Sequence, residues 1–386
     1  NVHLNLLQFI IRWPLCQRER RPDMNTKAAL SSGAQEPFEI ADVELDEPRA
    51  DEVLVKLTAA GVCHTDLATK AAWPQDKSPI VLGHEGAGVV EAAGTDVTAV
   101  RPGQHVLLSY RSCRSCPTCK AGHPPYCRDF RTLNLIGSRP DGSTTMRRDG
   151  SPVYGSFFGQ SSFASHALAY QSNVVAVEDD IDLTIAAPLG CGVQTGAGAV
   201  LNVLRPESES SLVVFGAGGV GLSALMVARV AGVGTIIAVE PVTGRRLLAT
   251  ELGATASIDP LHDDVVDAIR ELTGGGATHA LDTTANGAVI NQAIEALAPL
   301  GTLALVGVGP AEVQITVRNV IGGGKTIRGV VEGDAVPHQF IPRLLALHHE
   351  GRLPLEKLIR KYRFDEINQA VADAARGAAI KPVLVL

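Results

Sequence analysis

Four of the seven cysteines fall within fifteen residues, as Cys113-x2-Cys116-x2-Cys119-x7-Cys127. Four thiolates at this spacing can close a tetrahedral shell around one ion, the arrangement of a structural zinc site. An Fe–S cluster is the competing occupant, because cysteines separated by two residues also suit clusters. The intervening residues are polar and include Pro117, Pro124 and Pro125, like a loop wrapped on an ion. In a small secreted chain such cysteines would suggest disulfides, but in a chain of 386 residues clustered cysteines more often bind metal.

A second set is dispersed. Cys63 lies in Gly61-Val62-Cys63-His64-Thr65-Asp66, His84 and Glu85 in Gly83-His84-Glu85-Gly86-Ala87-Gly88, and Cys191 in Leu189-Gly190-Cys191-Gly192. Two thiolates and one imidazole leave one coordination position open, as a catalytic zinc requires. The thiolates also cancel the ion's charge, so a substrate oxygen anion is tolerated yet still stabilised as it forms. Singly, each residue has a plainer reading: a lone cysteine is usually a small buried hydrophobe, and a lone histidine a structural side chain. The shared glycine-rich settings, which permit tight turns, favour the joint reading.

The third constellation is Gly216-Ala217-Gly218-Gly219-Val220-Gly221, directly after the apolar run Leu212–Phe215 and opening a helical stretch. Alone, G-x-G-x-x-G is weak; here it has strand–turn–helix context, and Glu240 lies 19 residues beyond Gly221 at the end of the next strand. The glycines let the backbone approach a pyrophosphate, whose charge the helix N-terminus favours. Glu240 would accept from ribose hydroxyls and repel a 2′-phosphate, which argues for NAD over NADP, although Arg245-Arg246 nearby could tolerate a phosphate.

The elements that must position these residues follow two rhythms. Up to about residue 192, short strands such as Glu52–Gly61, Gly88–Ala92 and His105–Ser109 are separated by Gly, Pro and Asp turns, implying a mostly antiparallel, barrel-like domain. After about residue 193 buried strands alternate with helices: Leu212–Phe215, a helix at Val220–Ala231, Ile236–Val239, a helix at Gly244–Leu252, then 256–273, 278–298 and 301–307. That alternation implies a doubly wound parallel sheet, an α/β fold. A helix at Gln339–Glu350 and a last strand at Pro382–Leu386 are expected to rejoin the first domain. The expected division is 24–192 with 334–386, and 193–333. Residues 1–23, apolar from Leu4 to Ile11 and then basic, are expected to be a non-native or mis-assigned, poorly ordered extension, with Met24 as the natural start.

A net charge of −7 without a basic block argues against a nucleic-acid partner. No run of ~18 apolar residues is present, so no membrane partner is expected. Reduced, clustered cysteines fit a cytoplasmic location.

In this order, the three constellations strongly resemble the zinc-containing alcohol dehydrogenases of the medium-chain dehydrogenase/reductase family, over about residues 25–386. Cys63 and His84 are 21 residues apart, and His84 and Cys191 are 107 apart, as in that family. The stretch Gly61–Asp66 and the segment Gly155-Ser156-Phe157-Phe158-Gly159-Gln160-Ser161-Ser162-Phe163-Ala164 look most like the aryl (benzyl) alcohol dehydrogenase branch. The resemblance implies a GroES-like catalytic domain plus a Rossmann domain, two zinc ions per chain and NAD. It implies that Thr65 takes the proton of the substrate alcohol. Asp66 and Glu85 would support the metal, with Asp66 orienting the ligand histidine. Thr195 and Val220 would flank the nicotinamide. Arg245 would lie near the adenosine ribose, and His64 and Lys381 would face the pyrophosphate. A homodimer, or a tetramer of two dimers, would pair strands near Thr302–Val306 and Gln314–Val317.

Two positions depart from the family pattern. Ala68 stands where well-known members carry a histidine that passes the proton on, so the relay is expected to end at the cofactor ribose and water, or at another base. The site of a bulky pocket-lining aromatic falls at Ser109 or Tyr110, which leaves the pocket size open. The implied reaction is reversible oxidation of a primary alcohol to its aldehyde, with Trp73, Phe157 and Phe158 as candidate walls for an aromatic substrate. A glutathione-type, thiol-adduct formaldehyde dehydrogenase is the alternative within the class. A non-catalytic nucleotide-binding protein of the same fold is the alternative outside it.

Overall fold

The computed structural model describes residues 24–386, so the expectation for residues 1–23 lies outside the described residues. Strand Ser211–Phe215 is buried at every position and forms the middle of a six-stranded parallel sheet. The order across the sheet is Ala256–Ile258, Thr235–Val239, Ser211–Phe215, Ala277–Asp282, Leu297–Leu305, Thr326–Gly329. Helices on both faces bury such a sheet, which is why its strands read as continuous apolar runs. The strand order reverses between Ser211–Phe215 and Ala277–Asp282, the place where open α/β sheets bind ligands beyond their carboxyl ends.

The remaining chain forms two antiparallel-rich sheets, the GroES-like half-barrel. In the larger, strand Glu52–Gly61 pairs antiparallel with Glu85–Ala93 and with the final strand Lys381–Val385. Register places Gly61 opposite both Glu85 and Val383. The chain leaving Gly61, the segment entering Glu85 and the start of the last strand therefore meet at one end of this sheet. The expected helix near 339–350 runs Pro337–His349. One apolar cluster crosses between the two regions, joining Leu107 and Leu189 to Val200, Leu225 and Ile341.

One expectation fails. Gln314–Val317 is not a strand, despite its β-branched residues. Its backbone is claimed by Asn291, whose Nδ2 donates to the Gln314 carbonyl (2.8 Å) and whose Oδ1 accepts from the Thr316 N–H (3.1 Å). A helix, Val317–Gly323, follows, and the sheet edge is Thr326–Gly329.

The half-barrel also contains a buried ion network. Arg139, 1% exposed, donates to both Glu52 oxygens (2.6 and 3.0 Å) and to Asp46 (2.7 Å). Burial alone would raise the Glu52 carboxyl, but the Arg139 hydrogen bonds and charge outweigh it and hold it below its ordinary 4.5. A depressed carboxyl stabilises the fold above its unfolded-state pKa, and that contribution is lost as pH falls. Arg139→Ala should therefore cost about 3–5 kcal/mol in urea unfolding at neutral pH, because it strands a buried carboxylate. The deficit should shrink below pH 4.5; a deficit independent of pH would refute this account.

Candidate functional site

Cys63 caps helix His64–Ala72, and Asp66 sits in that helix's first turn, where a carboxylate is favoured. The Asp66 carboxylate, fully buried, accepts the Cys63 N–H (2.9 Å) and the Gly83 N–H (3.0 Å) and contacts His84 Nδ1 at 2.7 Å. Holding Nδ1 leaves Nε2 as the free ring nitrogen. That atom is buried and has no hydrogen-bond partner. Cys63 Sγ, a His84 ring nitrogen and Cys191 Sγ lie within 4.8 Å of one another. An orphaned imidazole nitrogen facing two thiols is a donor set that a zinc ion satisfies.

Glu85 holds the Cys191 segment. Its Oε1 accepts the Gly192 N–H (3.0 Å), and its two oxygens lie 2.8 and 3.0 Å from Lys381 Nζ. Burial pushes the Glu85 carboxyl up, with Lys381 pulling against it. Burial likewise disfavours the Lys381 ammonium, but Glu85 and Cys63 hold it above its ordinary range. Lys381 thus spends its charge on Glu85; only its stem approaches the glycine turn, where a Cβ on Gly219 would sit 3.4 Å from Lys381 Cε. Thr65 Oγ is 3.8 Å from Cys63 Sγ, while His64 is exposed at the start of its helix.

The other four cysteines also converge, with all four sulfurs within 4.8 Å of one another, a fit to a single ion. Backbone N–H groups of Cys116, Cys113 and Asp129 point at Cys113 and Cys127 sulfurs (3.3, 3.3 and 3.4 Å) and stabilise thiolate charge.

The glycine turn follows strand Ser211–Phe215. Gly216 has a φ of 93°, and a Cβ on Gly221 would lie 1.9 Å from the Gly216 carbonyl oxygen, so the tight turn excludes larger residues. A Cβ on Gly218 would meet nothing within 4 Å, which leaves an open cradle. Helix Gly219–Val230 begins with no side-chain cap and no acidic residue in its first turn, so its N–H groups are free for an anion. Glu240 is buried and braces the turn, accepting the Ala217 N–H (2.8 Å) and the Val242 N–H (3.0 Å). Arg246 is committed to Asp259 (2.7 Å) and to the Glu240 carbonyl (2.7 Å). Arg245 keeps a buried, unpartnered Nε. Helix Gly192–Gly198, carrying Thr195, packs on Gly219–Val230 so closely that a Cβ on Gly196 would lie 2.0 Å from the Val220 carbonyl oxygen. Cys191 and the glycine turn are therefore one short helix apart.

Two family models match: the alcohol dehydrogenase GroES-like domain over residues 49–179 and the zinc-binding dehydrogenase domain over residues 219–349. This chain belongs to the zinc-binding medium-chain alcohol dehydrogenases. It is 46% identical to geraniol dehydrogenase of Castellaniella defragrans, over 94% of this chain and 98% of that one. Among solved structures it resembles an alcohol dehydrogenase zinc-binding domain protein from Burkholderia ambifaria (48% identity, TM-score 0.91, 94% of this chain and 99% of that one). It also resembles benzyl alcohol dehydrogenase from Acinetobacter calcoaceticus (42% identity, TM-score 0.90, the same coverage). Zinc and NAD are the cofactors of this alcohol dehydrogenase, and the residues described fit both.

Several neighbours of the site escaped sequence reasoning. Gln160 braces the His84 segment, accepting the Gly86 N–H (3.0 Å) and donating to the His84 carbonyl (3.0 Å). Gln194 donates to Ser109 Oγ (2.8 Å), the Gly190 carbonyl (2.7 Å) and Glu332 Oε2 (2.9 Å). Burial pushes Glu332 up to about 7. A glutamine inside the apolar run Gly192–Gly198 was the one available signal. It is Ser109 that lies beside the Gly190–Cys191 segment, its Oγ donating to the Gly190 carbonyl (2.6 Å); Tyr110 instead packs against Phe130. Phe158 stacks on His84 (4.6 Å between ring centroids) and Phe157 meets it edge-on (5.6 Å). Trp73 does not join them: it packs against Tyr154 and donates its indole N–H to the Lys77 carbonyl (2.7 Å).

Asp66→Asn should weaken metal binding at the three-ligand site about 10–100-fold, by loosening both Cys63 and His84. Chelator titration followed by metal analysis should find one zinc lost early and the four-cysteine zinc retained. Loss of both ions together, or of neither, would contradict the role drawn for Asp66.

Proposed function

We propose that this alcohol dehydrogenase oxidises primary alcohols whose carbinol carbon adjoins an unsaturated carbon, benzyl-type aromatic alcohols above all, and reduces the corresponding aldehydes. The observation that carries the reading is the aromatic wall on the ligand histidine: Phe158 stacked, Phe157 edge-on, and Phe130 edge-on to Phe158 at 6.1 Å. Flat π-systems pack favourably on such edges and faces. The relatives named for geraniol and benzyl alcohol, both activated by an adjacent double bond or ring, support the same class.

Zinc, when bound, acidifies the alcohol, and NAD accepts the hydride. The chain's own residues orient and exclude. Asp66 and Glu85 hold the ligand arms, and Thr65 is placed to take the hydroxyl proton. Ala68 offers no onward side-chain acceptor, so the proton passes to solvent. Thr195 and Val220 form the seam beside the nicotinamide, and Glu240 disfavours a 2′-phosphate. His64 and Arg245 face the pyrophosphate and adenosine ends, with Lys381 behind the turn. The metal ligands proposed are Cys63, His84 and Cys191 for catalysis and Cys113, Cys116, Cys119 and Cys127 for structure. A cytoplasmic location keeps these thiols reduced. Among the described residues no single helix is long and apolar enough to cross a membrane.

The sheet edge supports a homodimer. Strand Thr326–Gly329 ends the parallel sheet, and Leu300 (80% exposed) and Ile321 (75% exposed) stand near it. An open edge with exposed apolar residues suits pairing with a second copy. Light scattering should report a dimer or tetramer, and Ile321→Glu should lower that mass; a monomeric native protein would end this reading.

Steady-state kinetics test the substrate. With NAD, kcat/KM for benzyl alcohol or geraniol should exceed that for ethanol by roughly 10-fold or more, the size of effect a shaped apolar pocket gives. NADP should be worse than NAD by about 100-fold, from the Glu240 charge. Equal or better turnover of ethanol would overturn the aromatic assignment, and formaldehyde oxidation that requires glutathione would replace it with a thiol-adduct substrate.

A further inference from the structure

The connection from the parallel sheet back to the half-barrel contains an unusual turn. Glu332, Gly333 and Asp334 have φ values of 48°, 66° and 48°. Two non-glycine residues in left-handed conformation, flanking a glycine, persist only when surroundings over-determine them. Here they do. A Cβ on Gly333 would lie 2.4 Å from the Gln194 carbonyl oxygen and 2.8 Å from Gly198 Cα, so the turn rests directly on helix Gly192–Gly198. Asn202 Nδ2 donates to the Gly333 carbonyl (3.1 Å), and Tyr110 Oη to the Ala335 carbonyl (2.5 Å).

The two acidic side chains point to different metal centres. Glu332 is buried and accepts Gln194 Nε2 at 2.9 Å. Gln194 is three residues beyond Cys191, and the same amide holds the Gly190 carbonyl on the other side of that ligand. Asp334 is also buried; both its oxygens lie 2.9 Å from His123 Nδ1, and Arg328 adds a contact at 3.2 Å. His123 stands between Cys119 and Cys127, inside the four-cysteine lobe. Tyr126 of the same lobe reaches the Gly329 carbonyl (3.4 Å).

We propose that Glu332 is a positioning residue for the Cys191 arm of the catalytic site, and that the four-cysteine lobe sets its place through His123 and Asp334. The chain of contacts runs from His123 to Asp334, through the left-handed turn to Glu332, then to Gln194 and the Gly190–Cys191 backbone. The four-cysteine lobe then has a second task beyond its own folding: it fixes the geometry of a metal arm to which it supplies no ligand. This rests on the zinc reading of both sites.

The test uses the full-length protein carrying both zinc ions and three variants, Glu332→Ala, Glu332→Gln and His123→Ala. One readout is the rate at which the three-ligand zinc passes to a chromophoric chelator. The other is the thiolate-to-metal absorption after cobalt is placed in that site. Glu332→Ala should release the three-ligand zinc about 10-fold faster, as loss of groups supporting metal ligands does, and should shift the cobalt band. Glu332→Gln keeps an acceptor for Gln194 and should stay near the wild type. His123→Ala lies at a half-exposed position remote from Cys191 in sequence, and should move both readouts in the same direction. Should Glu332→Ala fail to fold, His123→Ala decides alone. Unchanged release and spectrum in folded Glu332→Ala and His123→Ala, with both zinc ions present in the wild type, would overturn the proposal and leave the zinc reading standing. A wild type that holds no zinc at Cys63, His84 and Cys191 would overturn both.

Discussion

Two buried carboxylates on either side of one imidazole hold this site together. Asp66 binds the backbone of Cys63, the backbone of Gly83 and the ring of His84. Glu85, the next residue, binds the backbone of Gly192 and the ammonium of Lys381. The three ligand-bearing segments are far apart in the chain and would otherwise be loosely related loops. Between them the two carboxylates tie every segment to the next. A buried polar network rigidifies when every member is satisfied, and each of these oxygens has a partner. The sheet makes this possible, because its register sets Gly61 opposite both Glu85 and Val383.

The same economy governs the seam with the parallel sheet. Helix Gly192–Gly198 starts at a ligand and is made almost wholly of small residues. Small residues let it approach helix Gly219–Val230 at Gly196 and the left-handed turn at Gly198. A larger side chain at either position would separate the metal arm from the dinucleotide turn. That seam is continuous with the apolar cluster shared by the two regions. The reactive groups therefore sit against packed structure, which reaction geometry requires, since misplacement of about 1 Å can cost 10²-fold in rate.

How legible this was depends on how local each signal is. The four-cysteine cluster, the dispersed ligands and the glycine turn carry their chemistry in residue type and spacing, so they could be recognised before any fold was known. Strand–helix alternation gave the parallel sheet for the same reason. Gln160, Gln194 and Glu332 were not legible, because their partners are set by register and by backbone conformation rather than by neighbours in sequence. Nothing in Val331-Glu332-Gly333-Asp334 announces three consecutive left-handed residues beside Cys191. Lys381 was placed towards the pyrophosphate by resemblance, but its ammonium meets Glu85, a partner 296 residues earlier. Gln314–Val317 misled through β-branched composition, since the Asn291 side chain, not a neighbouring strand, takes its hydrogen bonds. Trp73 misled as a large aromatic near a ligand in sequence whose packing partner is Tyr154.

The distribution of charge explains why the pieces need one another. The buried Cys191 and half-buried Cys63 thiols are gathered with the buried Asp66, Glu85 and Glu332, and Lys381 is the ammonium among them. Burying so many acidic groups without compensation would be prohibitive. Lys381 offsets Glu85, the His84 ring N–H offsets Asp66, and a divalent ion would offset the two thiolates. Glu332 is then the surplus acid, and burial pushes its carboxyl up, towards the uncharged form. Replacing Lys381 would remove the ammonium that faces both Glu85 oxygens, and the cost would fall on the Cys191–Gly192 segment, whose Gly192 N–H Glu85 accepts. The strand Lys381–Val385 thus braces the carboxylate that holds the Cys191–Gly192 segment.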